Sequence, residues 1–489
     1  MSQQTTYTGV RIVDMPDLGA VTDSSSVVGE HAGSGRFAAT ALRSYIAAAL
    51  APTTYFYVPE AYGAVGNGTA DDTAAVQAAV TAAAATSGWV LLRSMYRITA
   101  SITVNGMVKI TGDGSSAGAG IAPATTGQIV FDVTTQAPVT FESFNITPSA
   151  SGTTGIRVNP TGGNSESVFR DLHINGCDVG INFQNASVWT MDSCRFEQFT
   201  TGGVIVRCTG NPDAGDSAMS NCFFLPAGST QFSVQQESSG GLRITNTKFL
   251  NGRYGFVLSQ DAGTVTGQLM ISNCSFDGPQ TAIQLGQAGA GATFHDVTII
   301  GCIFNVVTFG VITANNFGND GWLVNLAIAG CAFYLASPGT GISLQGVNGF
   351  QIGDCNFYSP GSGGTCVQID AHCSQGVITP CNRWGAGITT YVQNSGALVK
   401  VMPKVQRGSG SVTANTASGQ VFVGSAGAAT VFSPAFIGAL PKVFLTPTDS
   451  AGGIAANPVG ITLTGFTARV VGVGAGTVVP YDWVAYGEW

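Results

Sequence analysis

Cys194-Arg-Phe196, Cys222-Phe-Phe224, Thr247-Lys-Phe249, Cys274-Ser-Phe276, Cys302-Ile-Phe304, Cys331-Ala-Phe333 and Cys355-Asn-Phe357 are versions of one short pattern. Their first members are separated by 28, 25, 27, 28, 29 and 24 residues. Upstream, Phe144/Ile146 and Leu172/Ile174 keep the same frame, and Cys381 closes it. A period of this size marks stacked units, none of which buries its apolar face alone.

Each unit also carries a second extended patch: Gly180–Phe183, Gly203–Val206, Gly255–Leu258, Gly341–Leu344 and Cys366–Ile369. Apolar and polar residues alternate in both patches, which is the period of a strand with one buried side. No unit holds ten residues with helical apolar spacing. Two or three short strands per repeat, joined by Gly, Asn and Ser, predict one coil of a parallel β-helix. Equivalent residues then stack at about 4.8 Å per coil.

Stacking accounts for the cysteines. The chain has 11, with no CxxC pair and no zinc-ligand spacing. Seven occupy the inward position of the repeat, where a thiol packs as a small hydrophobe. They are expected to be reduced. Asn221, Asn246 and Asn273 precede that position in three successive coils, as an asparagine ladder in a left-handed turn would.

Composition narrows the function. Gly is 67 of 489 residues, 9% of residues are charged, and the net charge is −8. Lys and Arg form no run, so nucleic acid is not an expected partner. A 44% hydrophobic content in register argues for a large core. The start of the chain reads without a signal peptide, and no stretch of about 20 apolar residues exists to cross a membrane. Folding in a reducing cytoplasm is the expectation, with no metal or cofactor.

The domains are expected at 1–54, 55–105, 106–400 and 401–489, with a short helix over 37–50. In the second, Tyr62–Ala79 contains Gly63, Gly66 and Gly68, then Asp71, Asp72 and Thr73. The glycines lack the Lys-Ser/Thr ending of a phosphate loop. Asp71 or Asp72 is placed to cap a following Ala-rich helix.

That segment, with Trp89–Thr99, resembles the opening of pectate-lyase-like right-handed β-helix proteins. The resemblance implies an all-β fold: a right-handed parallel β-helix with a short N-terminal capping helix. Many phage tailspikes and tail fibres open this way. Phe432–Phe436, Pro441–Thr446, Thr464–Val470 and Asp482–Gly487 read as strands of a C-terminal β-sandwich similar to H-type lectins. The likeness implies a homotrimeric virion tail component. Residues 1–54 would attach to the phage tail or baseplate, the shaft would meet bacterial surface polysaccharide (capsule or lipopolysaccharide), and the tip would trimerise or bind sugar.

The chemistry is less legible. Residues flanking Phe point outward. One outward stack is Arg195, Phe223, Lys248, Ser275, Ile303, Ala332, Asn356; the other is Glu197, Leu225, Leu250, Asp277, Asn305, Tyr334, Tyr358. Arg195, Lys248, Asp277, Tyr334 and Tyr358 are therefore expected to bind substrate, the tyrosines through ring and hydroxyl together. A glycosidase needs two carboxylates within about 10 Å, and three coils put Glu197 about 14 Å from Asp277. Glu197 as acid with Asp192 or Asp171 as nucleophile or base is the expected cluster, with His173 nearby. The competing reading of Asp171 and Asp192 is turn bonding. His295 with Asp296, and Asp370 with His372, are weaker clusters. A non-catalytic adhesin and a cellular lyase or hydrolase are the alternatives.

Overall fold

The computed structural model describes residues 56–401, except 115–117, 164–165, 208–214, 289–290, 314–321, 380 and 385–387, plus separate strands among 26–38 and 404–487. Successive segments wind as a right-handed parallel β-solenoid. The coil Thr190–Asp192, Arg195–Glu197, Gly202–Arg207 shows its three sides, called sheets A, B and C below. Sheet A stacks 14 parallel strands from Phe56–Tyr57 to Lys400–Val401. Sheets B and C form one hydrogen-bonded network of 23, because Ile303–Thr313 and Ala332–Leu344 run unbroken through the corner between them.

The short pattern sets the register of sheet B. Phe196, Phe224, Phe249, Phe276, Phe304, Phe333 and Phe357 stack with centroids 4.4–5.3 Å apart and planes within 8°. Isolated rings prefer offset or edge contacts; here the coil spacing imposes the parallel stack. Every ring is at most 1% exposed, so each contributes about 1.5–3 kcal/mol of apolar burial.

The turn from sheet A to sheet B is equally regular. Ser143, Asp171, Ser193, Asn221, Asn246, Asn273, Gly301, Gly330 and Asp354 all have φ between 48° and 66°. Short polar side chains and glycine dominate because the left-handed region penalises most others. The expected asparagine ladder is part of this longer column. The next residue points inward, and the ten described cysteines are all buried thiols outside any disulfide. Each thiol of the Cys-x-Phe pattern also points at the carbonyl two residues back, 3.2–3.5 Å away. Thr247 makes the same contact with its hydroxyl, at 3.0 Å from the Thr245 carbonyl. From Cys194 to Cys355 the position holds a small donor, Thr replacing Cys once; in the two coils before, the larger apolar Phe144 and Leu172 fill it.

At the N-terminal end the helix Thr73–Thr86 buries Val76, Ala79, Val80 and Ala83 against the first coils. Asp72 holds the N-cap position without a side-chain cap bond; the carboxylate that serves the helix start is that of Asp71, whose Oδ1 accepts from the Thr73 amide at 3.1 Å. Asp72 is 2% exposed and turns back to accept from the Val65 and Gly66 amides at 2.6 and 3.1 Å. The Gly-rich loop is thus an anion nest filled by the chain's own carboxylate.

Arg36–Ala38 is a strand paired antiparallel with Ser26–Val28, so Phe37 does not begin a helix; 39–50 lie outside the described residues. Lys442–Pro447 and Lys404–Thr413 each pair antiparallel with Val478–Gly487, and Ala455–Val459 pairs with Gly465–Val471. Phe432–Phe436 lies outside the described residues. Among the described residues, no helix is long and apolar enough to cross a membrane.

Candidate functional site

The outer face of sheet B presents two columns of side chains. Ladder pairing runs His173, Arg195, Phe223, Lys248, Ser275, Ile303, Ala332, Asn356 in the first. In the second, Asn175, Glu197 and Leu225 align, then Leu250, Asp277, Asn305, Tyr334 and Tyr358. These are the stacks expected from alternation, extended one coil upward.

Glu197 is the centre of the N-terminal half. Its side chain is 13% exposed, and its two oxygens have different partners. Oε1 accepts from the Arg195 guanidinium at 2.6 Å, and Oε2 lies 2.9 Å from His173 Nε2. Burial pushes this carboxyl up, but the Arg195 and His173 hydrogen bonds and charges outweigh it and leave it below the ordinary glutamate value. It is therefore ionised at neutral pH. Arg195 is 55% exposed on its side chain, and its guanidinium lies over the Phe223 ring at 4.7 Å. That contact holds the cation flat on the surface. Lys248 is exposed two coils beyond Arg195.

Asp171 and Asp192 belong to a different part of the coil. Asp171 occupies the left-handed turn column, φ 48°, and accepts from Ser143 Oγ at 3.2 Å. Asp192 ends its sheet A strand; Ser220 and Asn221 each donate to Oδ1 at 2.7 Å, and Ser193 to Oδ2 at 3.1 Å. The Ser220 hydrogen bond leads in holding this carboxyl below its ordinary value, followed by Asn221, Ser193 and the Arg170 charge, against burial. Both aspartates thus hold turn neighbours, while Glu197 holds His173 and Arg195.

The C-terminal half is aromatic. Tyr334 and Tyr358 are 47% and 39% exposed on adjacent coils, with ring centroids 6.0 Å apart. With Ala332 and Asn356 they line a shallow depression of about 300 Å³. Asp277 Oδ1 accepts from Asn305 Nδ2 at 2.8 Å. Elsewhere, on sheet A, His295 Nδ1 and Asp296 Oδ2 are 2.8 Å apart, with Asn325 on the other carboxylate oxygen at 3.0 Å. Asp370 Oδ1 accepts from the His372 amide at 3.0 Å, a turn bond.

Sequence reading passed over His173 as a member of the outward column, although the Leu172/Ile174 frame already placed it one coil above Arg195. The signal was there, weakened by the loss of Cys and Phe in that coil.

Known proteins agree with this architecture. A family described as right handed beta helix region matches residues 115–299. A capsule K30/K69-specific depolymerase of Klebsiella phage K5-2 is 36% identical over 102 residues, which are 20% of this chain and 13% of that protein. The chain thus matches only a small part of that relative. The crystal structure of the Dettilon tailspike protein superposes with a TM-score of 0.55 at 11% identity, covering 88% of this chain and 94% of that one. PfbA, a surface adhesin of Streptococcus pneumoniae, gives 0.51 at 13% identity over 71% and 93%. At such identities the superpositions speak for the fold alone. The chain is a right-handed parallel β-helix protein, built on the scaffold found in phage tailspikes.

Proposed function

We propose that this protein is a phage tailspike that recognises a bacterial surface polysaccharide on the outer face of sheet B and depolymerises it. The observation that carries the reading is the 36% identity to a phage capsule depolymerase. The composition of sheet B supports it. Cations stand at one end and half-exposed tyrosines at the other. Arg195 and Lys248 contact acidic groups, Tyr334 and Tyr358 contact sugar faces, and Asp277 accepts hydroxyl hydrogen bonds. Residues 1–54 attach to the phage tail, the shaft occupies 106–400, and 401–489 trimerise the spike or bind further sugar. The chain folds in the infected cell and is released as part of the virion tail.

A spike that adheres without cutting is the second reading. It is favoured by the turn bonds of Asp171 and Asp192, which leave Glu197 without a carboxylate partner among those two. The test is to incubate the full-length protein with purified capsular and lipopolysaccharide preparations from candidate hosts. Binding accompanied by new reducing ends is expected; binding to a polysaccharide the phage requires, with no new ends, would establish the adhesin.

A further inference from the structure

The geometry around Glu197 points to a bond-breaking step, and the inference rests on the polysaccharide reading above. A glycosidase acid must hold its proton at working pH, which usually takes a raised pKa. Glu197 is built the other way, with two cationic or donating partners on its two oxygens. An ionised carboxylate only accepts hydrogen bonds. The hydrogen in the 2.9 Å contact therefore sits on His173 Nε2. With Nε2 protonated, neutral imidazole carries its lone pair on Nδ1. A carboxylate so placed fixes the tautomer and orientation of the imidazole and steadies the imidazolium that forms when the opposite nitrogen takes a proton.

The surroundings fit a particular substrate. Arg195 is next to His173 along the column and shares Glu197 with it. Its guanidinium has further N–H groups and is half exposed. On the other side of His173 stands Asn145, 8% exposed, whose Oδ1 has no partner among the described residues. Base and cation thus lie on adjacent coils, about 5 Å apart by the coil spacing, with the Asn145 Oδ1 buried beneath the surface on the other side.

We infer that His173 is the proton-abstracting base of a polysaccharide lyase acting on a uronic-acid-containing polymer, with Glu197 as its positioning residue and Arg195 as the anchor for the uronate carboxylate. His173 Nδ1 takes the proton from the carbon bearing the carboxylate. The electron pair of that C–H bond becomes the new C=C bond to the neighbouring ring carbon, and the glycosidic C–O bond on that carbon breaks. Water protonates the departing oxygen, and the hydroxide left behind takes the proton from His173, restoring the base. Arg195 faces the negative charge that grows on the carboxylate, where a fixed cation is most effective. No oxidant, reductant or cofactor enters the balance.

The test uses the full-length protein with a panel of capsular polysaccharides, including that of a strain the virion infects, each uronic-acid polymer paired with its carboxyl-reduced form. Cleavage is expected to yield new reducing ends together with the ultraviolet absorbance of a conjugated unsaturated uronate, and the carboxyl-reduced polymers should resist. His173→Ala should lower kcat about 10²- to 10⁴-fold with little change in KM, and added imidazole should restore part of it. Glu197→Gln should lower kcat without abolishing imidazole-independent turnover, and Arg195→Ala should chiefly raise KM. A merely structural His173 would show no imidazole rescue; His173→Gln, with its melting temperature, separates misfolding from lost chemistry. Reducing ends without absorbance, or an active His173→Ala, would overturn the lyase inference and leave the polysaccharide reading standing. Absence of binding to the infected strain's capsule and lipopolysaccharide would overturn both.

Discussion

Thr247 Oγ1 donates to the carbonyl of Thr245 at 3.0 Å, and Cys274 Sγ in the next coil makes the equivalent contact with Ser272 at 3.3 Å. A hydroxyl and a thiol are interchangeable there because both are compact donors on Cβ. From Cys194 to Cys355 the inward corner is thus a hydrogen-bonding position as well as a packing one.

Thr247→Cys is therefore expected to be nearly neutral, whereas Thr247→Val keeps the shape and loses the donor. Thr247 Oγ1 also accepts from the Cys222 amide at 3.4 Å, so the valine variant takes this acceptor from the Cys222 amide, while the Thr245 carbonyl keeps the Asn221 amide at 3.2 Å. The expected loss is about 1–3 kcal/mol, measurable as a lower melting temperature. Equal melting temperatures for the two variants would show that packing alone governs the site.

The phenylalanine column should be the costliest place to cut. Phe276 is fully buried and stacks on Phe249 at 4.6 Å and Phe304 at 5.2 Å. Phe276→Ala should cost about 3–5 kcal/mol, and Phe276→Leu clearly less. Unfolding rates in denaturant are the suitable measurement for a long solenoid, whose melting need not be reversible.

Acid should weaken the turn at Asp192. Its folded-state carboxyl lies below the ordinary aspartate value, chiefly through Ser220. A depressed carboxyl adds stability above its unfolded pKa, about 4, and that stability disappears as pH falls through the folded value. Asp192→Asn should lower the melting temperature at neutral pH and flatten its decline below about pH 4. Parallel acid profiles for variant and wild type would contradict the assignment.

Tyr334 and Tyr358 should matter for ligand and not for fold, since both stand half exposed. Replacing either by Ala should weaken polysaccharide binding roughly 3- to 10-fold, the equivalent of about 0.5–1.5 kcal/mol. Binding isotherms on the polymer that the wild type recognises check this. Unchanged affinity in the double variant would move the binding face away from this end of sheet B.

The solenoid was legible in the sequence because its contacts are periodic. A coil repeats the same inward residues, so Cys274-Ser-Phe276 and its counterparts announce the register, the outward stacks and the left-handed asparagines together. The helix after Asp72 was legible from local composition. Tertiary structure alone decided which carboxylates face which partners. Of the two aspartates expected as helix cap, Asp71 serves the Thr73 amide, while the buried Asp72 turns its carboxylate into the nest at Val65 and Gly66. Asp171 went to the turn column and Asp192 to the strand end just before it, and Glu197 met His173, 24 residues away in sequence. The physical reason is the geometry of the coil. Hydrophobic burial is set by a period that one chain can display, while a charge pairs with whatever side chain the adjacent coil brings within 3 Å.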